Sequence, residues 1–238
     1  MALLVEKNQL VTPGELLAEG EFVAEENTYR EDGKIYASKI GLVNTVGNRI
    51  SVVPLKGCYL PKVNDIAVGR VIDVGISGWI VDIGAPYKAL LPASEVLNQR
   101  LPHSKMDLTK LFDVGDLVVT KVIAFDRTRD PLLTVKGPGL RKVSSGRVIE
   151  ISPAKIPRLI GRKGSMINML KKEAECQIII GKNGVIIVSS SSPENERIAI
   201  SAIRLIEREA HTRGLTNRVC EMIRGMRGGG AVVSEKAS

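Results

Sequence analysis

Aromatic residues are scarce in this chain. Phe, Tyr and Trp make up 3% of its 238 residues, with a single Trp, so its cores must be built from Ile, Val and Leu. Cysteine is rarer still. Cys58, Cys176 and Cys220 are odd in number, far apart and form no Cys-x-x-Cys pair, so they read as reduced thiols and exclude a zinc ribbon. His103 and His211 are isolated, and the carboxylates are scattered without metal-like clustering. No Ser/His/Asp or Cys/His set is evident, and no Gly-x-x-x-x-Gly-Lys-Ser/Thr loop occurs. The expectation is a protein that is not an enzyme and carries no cofactor and no metal. No apolar run approaches the roughly 18 residues that span a bilayer. The segment from Met1 to Lys7 lacks the basic start and the long apolar run of a signal peptide. The chain is therefore expected to be soluble, without membrane association, and cytoplasmic.

Charge is present but unevenly placed. The formal net charge is +8, yet residues 1–136 hold 16 Lys+Arg against 17 Asp+Glu, whereas residues 137–238 hold 18 against 9. The whole positive excess lies in the C-terminal part, which points to a polyanionic partner for that part.

The pattern of elements divides the chain into a mainly β portion followed by an α+β portion. Residues 1–62 show short β-rich runs such as Lys34–Ser38 and Arg49–Pro54, punctuated by Thr12-Pro13-Gly14-Glu15, Glu31-Asp32-Gly33 and Gly47-Asn48. This segment carries no chemical motif and reads as a β docking domain. Residues 63–137 contain five strand signals with a short helix from Ser94 between the third and fourth, as in a closed five-stranded OB barrel. Gly137-Pro138-Gly139 marks a boundary. Residues 143–211 then read β-α-α-β-β-α. Their last helix opens on Ser192 as N-cap with Pro193 behind it, and its apolar face carries Ile198, Ala202, Leu205 and Ile206. Residues 212–238 read as a basic tail, helical at most from Leu215 to Arg227.

One motif carries chemistry. Gly161-Arg162-Lys163-Gly164 sits between two short amphipathic helices. Glycine without Cβ permits both unusual φ/ψ values and close approach of a ribose-phosphate strand. Arg162 and Lys163 would face the phosphates, in the manner of a KH clamp that holds about four nucleotides. Lys155 and Arg158 on the preceding helix extend the candidate surface. Gly181-Lys182-Asn183-Gly184 has a similar shape, but it joins two strands, and Asn-Gly is a preferred hairpin pair, so a structural turn is the better reading.

The barrel segment resembles the S1 RNA-binding domain through Gly69-x-Val71-x-x-Val74, Gly78-x-x-Val81-Asp82-Ile83-Gly84 and Leu90-Leu91-Pro92-x-Ser94-Glu95. Where that family stacks bases on two aromatics and a histidine, this chain has Ser77, Ile80 and Pro92. Its RNA contacts there are expected to come from charge, on Lys88, Arg127 and Arg129. The order of β domain, S1 domain and KH domain resembles the archaeal exosome cap subunit of the ribosomal-RNA-processing-protein-four type. The Pro-Gly-Glu at 13–15 resembles the Pro-Gly-Asp of that family, and the Gly-x-Asn-Gly at 181–184 resembles a further signature, structural there and packed where the two RNA-binding domains meet. The resemblance implies binding of single-stranded RNA. It also implies three copies docked through their N-terminal domains on a hexameric ring of RNase PH-like subunits, which performs the phosphorolysis. Two other readings stand beside it. One is a transcription antitermination factor with S1 and KH domains, although that family usually carries two tandem KH units of another topology. The other is a polynucleotide phosphorylase, although its catalytic core does not fit in 238 residues.

Overall fold

In the computed structural model the residues described are 2–55, 57–97, 108–126, 128–210, 212 and 214–230, the last three without their side chains. The chain forms two compact units, Met1–Gly57 and Cys58–Ser238.

The described residues of the first unit form eight short strands: β1 (Ala2–Leu3), β2 (Leu10–Val11), β3 (Leu16–Glu19), β4 (Val23–Ala24), β5 (Thr28–Glu31), β6 (Lys34–Ala37), β7 (Gly41–Val46) and β8 (Arg49–Pro54). They make two four-stranded sheets, ordered β1-β3-β6-β5 and β2-β7-β8-β4, which share one aliphatic core around Leu17, Ile35, Val43 and Ile50. Alternation puts Val43, Ile50 and Val52 inward. A shift of register between Leu16 and Ala18 lets the consecutive Leu17 and Ala18 both point into the core.

The second unit starts with a closed barrel in the order β10-β11-β13-β12-β9. Its strands are β9 (Ile66–Val74), β10 (Gly78–Asp82), β11 (Ala89–Pro92), β12 (Leu117–Asp126) and β13 (Arg129–Thr134), with helix α1 (Ala93–Val96) after the third. Neighbouring strands are antiparallel except β11 and β13, whose parallel contact at Leu90 and Leu132 closes the barrel. Trp79 and Val81 alternate inward from β10. Trp79 is fully buried, donates from its indole nitrogen to the Phe112 carbonyl at 2.8 Å and meets the Phe112 ring edge-on. Tyr59 lies in this barrel core, so residues 58–62 belong with the barrel and not with the N-terminal domain.

The α+β part follows as β14 (Arg147–Glu150), α2 (Ile156–Ile160), α3 (Ser165–Glu173), β15 (Gln177–Ile180), β16 (Val185–Ser189) and α4 (Pro193–Arg208), with 3-10 turns at Pro153–Lys155 and Arg162–Gly164. The sheet order is β14-β16-β15, all antiparallel. The order of elements is the one expected, and Ser192 caps α4 by accepting from the Glu194 amide at 3.3 Å. A correction concerns the C-terminal segment. Helix α5 (Leu215–Gly230) is an integral part of this domain rather than a basic tail. Leu215, Val219 and Ile223 recur every four residues and are fully buried in the same core as α3 and α4. Its arginines are neutralised within the domain, Arg218 by Glu209, Arg224 by Glu173 and Arg227 by Glu175. Residues 231–238 lie outside the described residues.

Both faces of the three-stranded sheet are covered. One face packs on the helices through Ile149, Ile178, Ile186 and Val188. The other presents Ile187, Ile179 and Val185 to Val68 and Val119 on the barrel. This two-sided burial is why β15 and β16 read as continuous apolar runs instead of alternating. Full burial of Val68, Val119 and Ile187 contributes roughly 1.5–3 kcal/mol each. The hairpin turn 181–184 locks the joint. The Asn183 side chain accepts from the Val68 amide at 3.2 Å and donates to the carbonyls of Val68 (2.7 Å) and Ile83 (2.9 Å). The Lys182 amide donates to the Ile66 carbonyl at 2.8 Å, and its ammonium pairs with buried Asp65 at 2.7 Å. The turn is structural, and the barrel and the α+β domain form one unit.

Candidate nucleic-acid interface

The corner between α2 and α3 is built by backbone geometry. Gly161 ends α2 at φ +74° and ψ 177°, and Gly164 stands before α3 at φ +79° and ψ 12°. Lys163 between them is at φ +51° and ψ 30°, left-handed for a residue with a Cβ, a conformation that costs about 1 kcal/mol or more. The two glycines serve different ends. A Cβ on Gly161 would lie 2.9 Å from the Met166 nitrogen and Cβ, so that glycine is demanded by the tight turn itself. A Cβ on Gly164 would meet nothing nearer than Asn168 Nδ2 at 3.5 Å, so its side of the corner is open to an approaching strand.

Arg162 and Lys163 are exposed and take part in none of the ion pairs formed among the described residues. Leu159 and Met166, buried on either side, anchor the helices that present them. Lys155, half-buried in the 3-10 turn before α2, is likewise without a carboxylate partner among the described residues. The corner therefore offers two uncompensated cations and a bare backbone, with Lys155 at the other end of α2. Arg158 differs from expectation. It donates to the Thr212 carbonyl at 3.0 Å and ties α2 to the segment between α4 and α5, so its guanidinium is partly committed to the fold.

The barrel candidates lie in another part of the same unit. Lys88 is exposed just before β11, and Arg129 is exposed at the start of β13. Arg127 lies outside the described residues. In the turn beside it the Asp126 carboxylate accepts from the Thr128 hydroxyl and, at 2.7 Å, from the Thr128 amide. The Thr128 hydroxyl, then its amide, and more weakly the Arg129 charge hold Asp126 below the usual carboxylate range, against a small opposing effect of burial. Ile80 and Leu90 face each other on the outside of β10 and β11, so the outer barrel surface is aliphatic at this pair. The sequence pattern does not disclose one aromatic feature there. Tyr87, in the loop before β11, meets Phe125 of β12 edge-on at 5.1 Å. The two are far apart in sequence, and neither belongs to a recognisable motif. Among the described residues no group of three or more His, Cys, Asp or Glu stands together in a way that could hold a metal ion.

Known proteins resemble this chain segment by segment. Residues 8–56 match the family described as the exosome RNA binding protein RRP4 N-terminal domain, residues 58–124 match the RRP4 S1 domain, and residues 146–194 match a KH domain. The chain is 45% identical over 223 residues to the exosome complex component Rrp4 of Thermococcus kodakarensis, covering 93% of this chain and 87% of that protein. It is 45% identical over 221 residues to the component of the same name from Methanothermus fervidus, covering 93% and 97%. A crystal structure proposed to be of an exosome complex RNA-binding protein superposes with a TM-score of 0.68 at 43% identity, covering 72% of this chain and 98% of that one.

Proposed function

This chain belongs to the Rrp4 family of exosome components, and from that premise we propose that it is a non-catalytic RNA-binding cap subunit that captures RNA and delivers 3′ ends to an RNase PH-like ring. The observation that carries this reading is the corner at residues 161–164. Arg162 and Lys163 stand exposed and uncompensated beside the open face of Gly164, on a KH fold fused to an S1 barrel. Such a corner holds a ribose-phosphate strand by charge and close backbone approach and leaves the bases to other contacts. The joint at Asn183 and Lys182 supports the same reading, because a fixed spacing between the two RNA-binding modules lets one strand engage both without paying twice for its ordering.

The compact unit Met1–Gly57, which lacks a positive excess, is the docking element, three copies of the chain sit on a hexameric ring, and the assembly works in the cytoplasm. Size exclusion and a degradation assay with the RNase PH-like ring test this. The full chain should co-elute with the ring and raise its turnover of RNA. A chain beginning at residue 58 should lose co-elution and keep its RNA affinity. Phosphate-dependent degradation by the isolated chain, or assembly that survives removal of residues 1–57, would overturn the proposal.

A further inference from the structure

Tyr87 does not behave as a packing residue. A tyrosine used for packing enters the core and finds a partner for its hydroxyl. Tyr59 does both: it lies in the barrel core and donates to Asp65 at 3.1 Å. Tyr87 is outside that core cluster, is half-buried, and its hydroxyl makes no hydrogen bond among the described residues. Phe125, by contrast, is anchored on the core. The rings of Tyr87 and Phe125 are 5.1 Å apart at 65°. An edge-to-face pair leaves at least one face of the Tyr87 ring uncovered by its neighbour, whichever ring supplies the edge.

The position of that ring matters. It lies in the loop joining β10 to β11, and Phe125 holds it against the end of β12, one residue before the turn into β13. OB-type barrels take up oligonucleotides on the face of their second and third strands and at the loop between their fourth and fifth. The Tyr87–Phe125 pair joins those two regions. Exposed Lys88 follows directly in the chain, and exposed Arg129 opens β13 across the turn. The Asp126 carboxylate beside Phe125 accepts hydrogen bonds from Thr128 and lies close enough to Arg129 to feel its charge.

We propose that Tyr87 is the base-stacking platform of the barrel, on which single-stranded RNA lays one base while Lys88 neutralises the adjoining phosphate. The platform stands apart from Ser77, Ile80 and Pro92, so stacking on this barrel is displaced rather than lost. The proposal rests on the RNA-binding reading above, and the two are separated by their salt dependence. Stacking is a contact to the base and releases few counterions, whereas the Arg162–Lys163 corner acts on phosphates.

The test is a fluorescence-anisotropy titration of the full chain with a fluorescein-labelled oligoadenylate and with an abasic oligomer of the same length, over a range of salt. Tyr87→Leu keeps an apolar contact with Phe125 and removes the π face. It should weaken oligoadenylate binding by about 5- to 150-fold, leave the slope of log affinity against log salt unchanged, and leave abasic binding unchanged. Tyr87→Phe should bind like the wild type. Thermal melting of both variants controls for folding. Equal oligoadenylate affinity in Tyr87→Leu and wild type overturns the platform while leaving the KH clamp in place. So does an equal loss in Tyr87→Phe, or an equal loss on the abasic oligomer. A wild-type chain without RNA affinity overturns both readings.

Discussion

Replacing Asn183 by Ala isolates the joint between the barrel and the KH domain. The side chain is 6% exposed and makes three hydrogen bonds, all to backbone groups of the barrel. Alanine removes all three and leaves the Val68 amide and the carbonyls of Val68 and Ile83 short of a partner. Each missing bond costs about 1 kcal/mol, and a buried donor left without an acceptor costs about 1–3 kcal/mol more. The total is about 4–6 kcal/mol, which for a unit of this size lowers Tm by roughly 8–24 °C. Asn183→Asp sharpens the test. One carboxylate oxygen can still accept from the Val68 amide, but the other faces two carbonyl oxygens, so this near-isosteric change should destabilise more than alanine at neutral pH and recover on acidification. Differential scanning calorimetry of the fragment 58–238 reads both effects, and uncoupling should split its single transition in two. A Tm drop below about 2 °C for Asn183→Ala, or aspartate tolerated better than alanine at neutral pH, would refute the assignment of this turn as the lock.

Local geometry yields two further predictions. Gly161→Ala must push a Cβ against Met166 at 2.9 Å and at φ +74°, so it should destabilise the KH domain by more than Gly164→Ala, which meets only the conformational cost of about 1–2 kcal/mol; urea denaturation with equal losses in the two variants would contradict the separate roles given to these glycines. Burial, then the charge and hydrogen bond of Asp65, push the Tyr59 phenol far above its usual 10.0. Its contribution is complete below pH 10 and is lost as pH rises beyond that value, because the unfolded chain then releases a proton the folded barrel retains. Wild-type stability should therefore fall above pH 10 more steeply than that of Tyr59→Phe, and parallel pH profiles for the two would count against a protonated, buried Tyr59.

Much of this architecture was legible because local signals agreed. The Gly161–Gly164 corner between short helices, the capped start of α4 and the S1 strand signature each pointed to the element that is found. What escaped the sequence depends on distant partners. The stripe Leu215, Val219 and Ile223 was concealed by interspersed arginines and glycines, and only the folded domain shows that Glu173, Glu175 and Glu209 absorb that charge. The boundary at residue 57 leaves no local signal, because Tyr59 joins the barrel core through neighbours downstream. The unbroken apolar runs of β15 and β16 announced burial on both faces, but not that the second face meets the barrel. Arg158 looked free because the Thr212 carbonyl it binds lies more than fifty residues away. Tyr87 and Phe125 belong to no motif and are joined only by the barrel's closure.

The central claim is that the exposed cations between Gly161 and Gly164 hold the RNA backbone, and the most direct measurement is the salt dependence of RNA affinity in the double variant Arg162→Asp, Lys163→Asp. The account predicts weaker binding to all single-stranded sequences alike, with the slope of log affinity against log salt reduced by about 0.7 for each phosphate no longer neutralised. Unchanged affinity with an unchanged slope would contradict it.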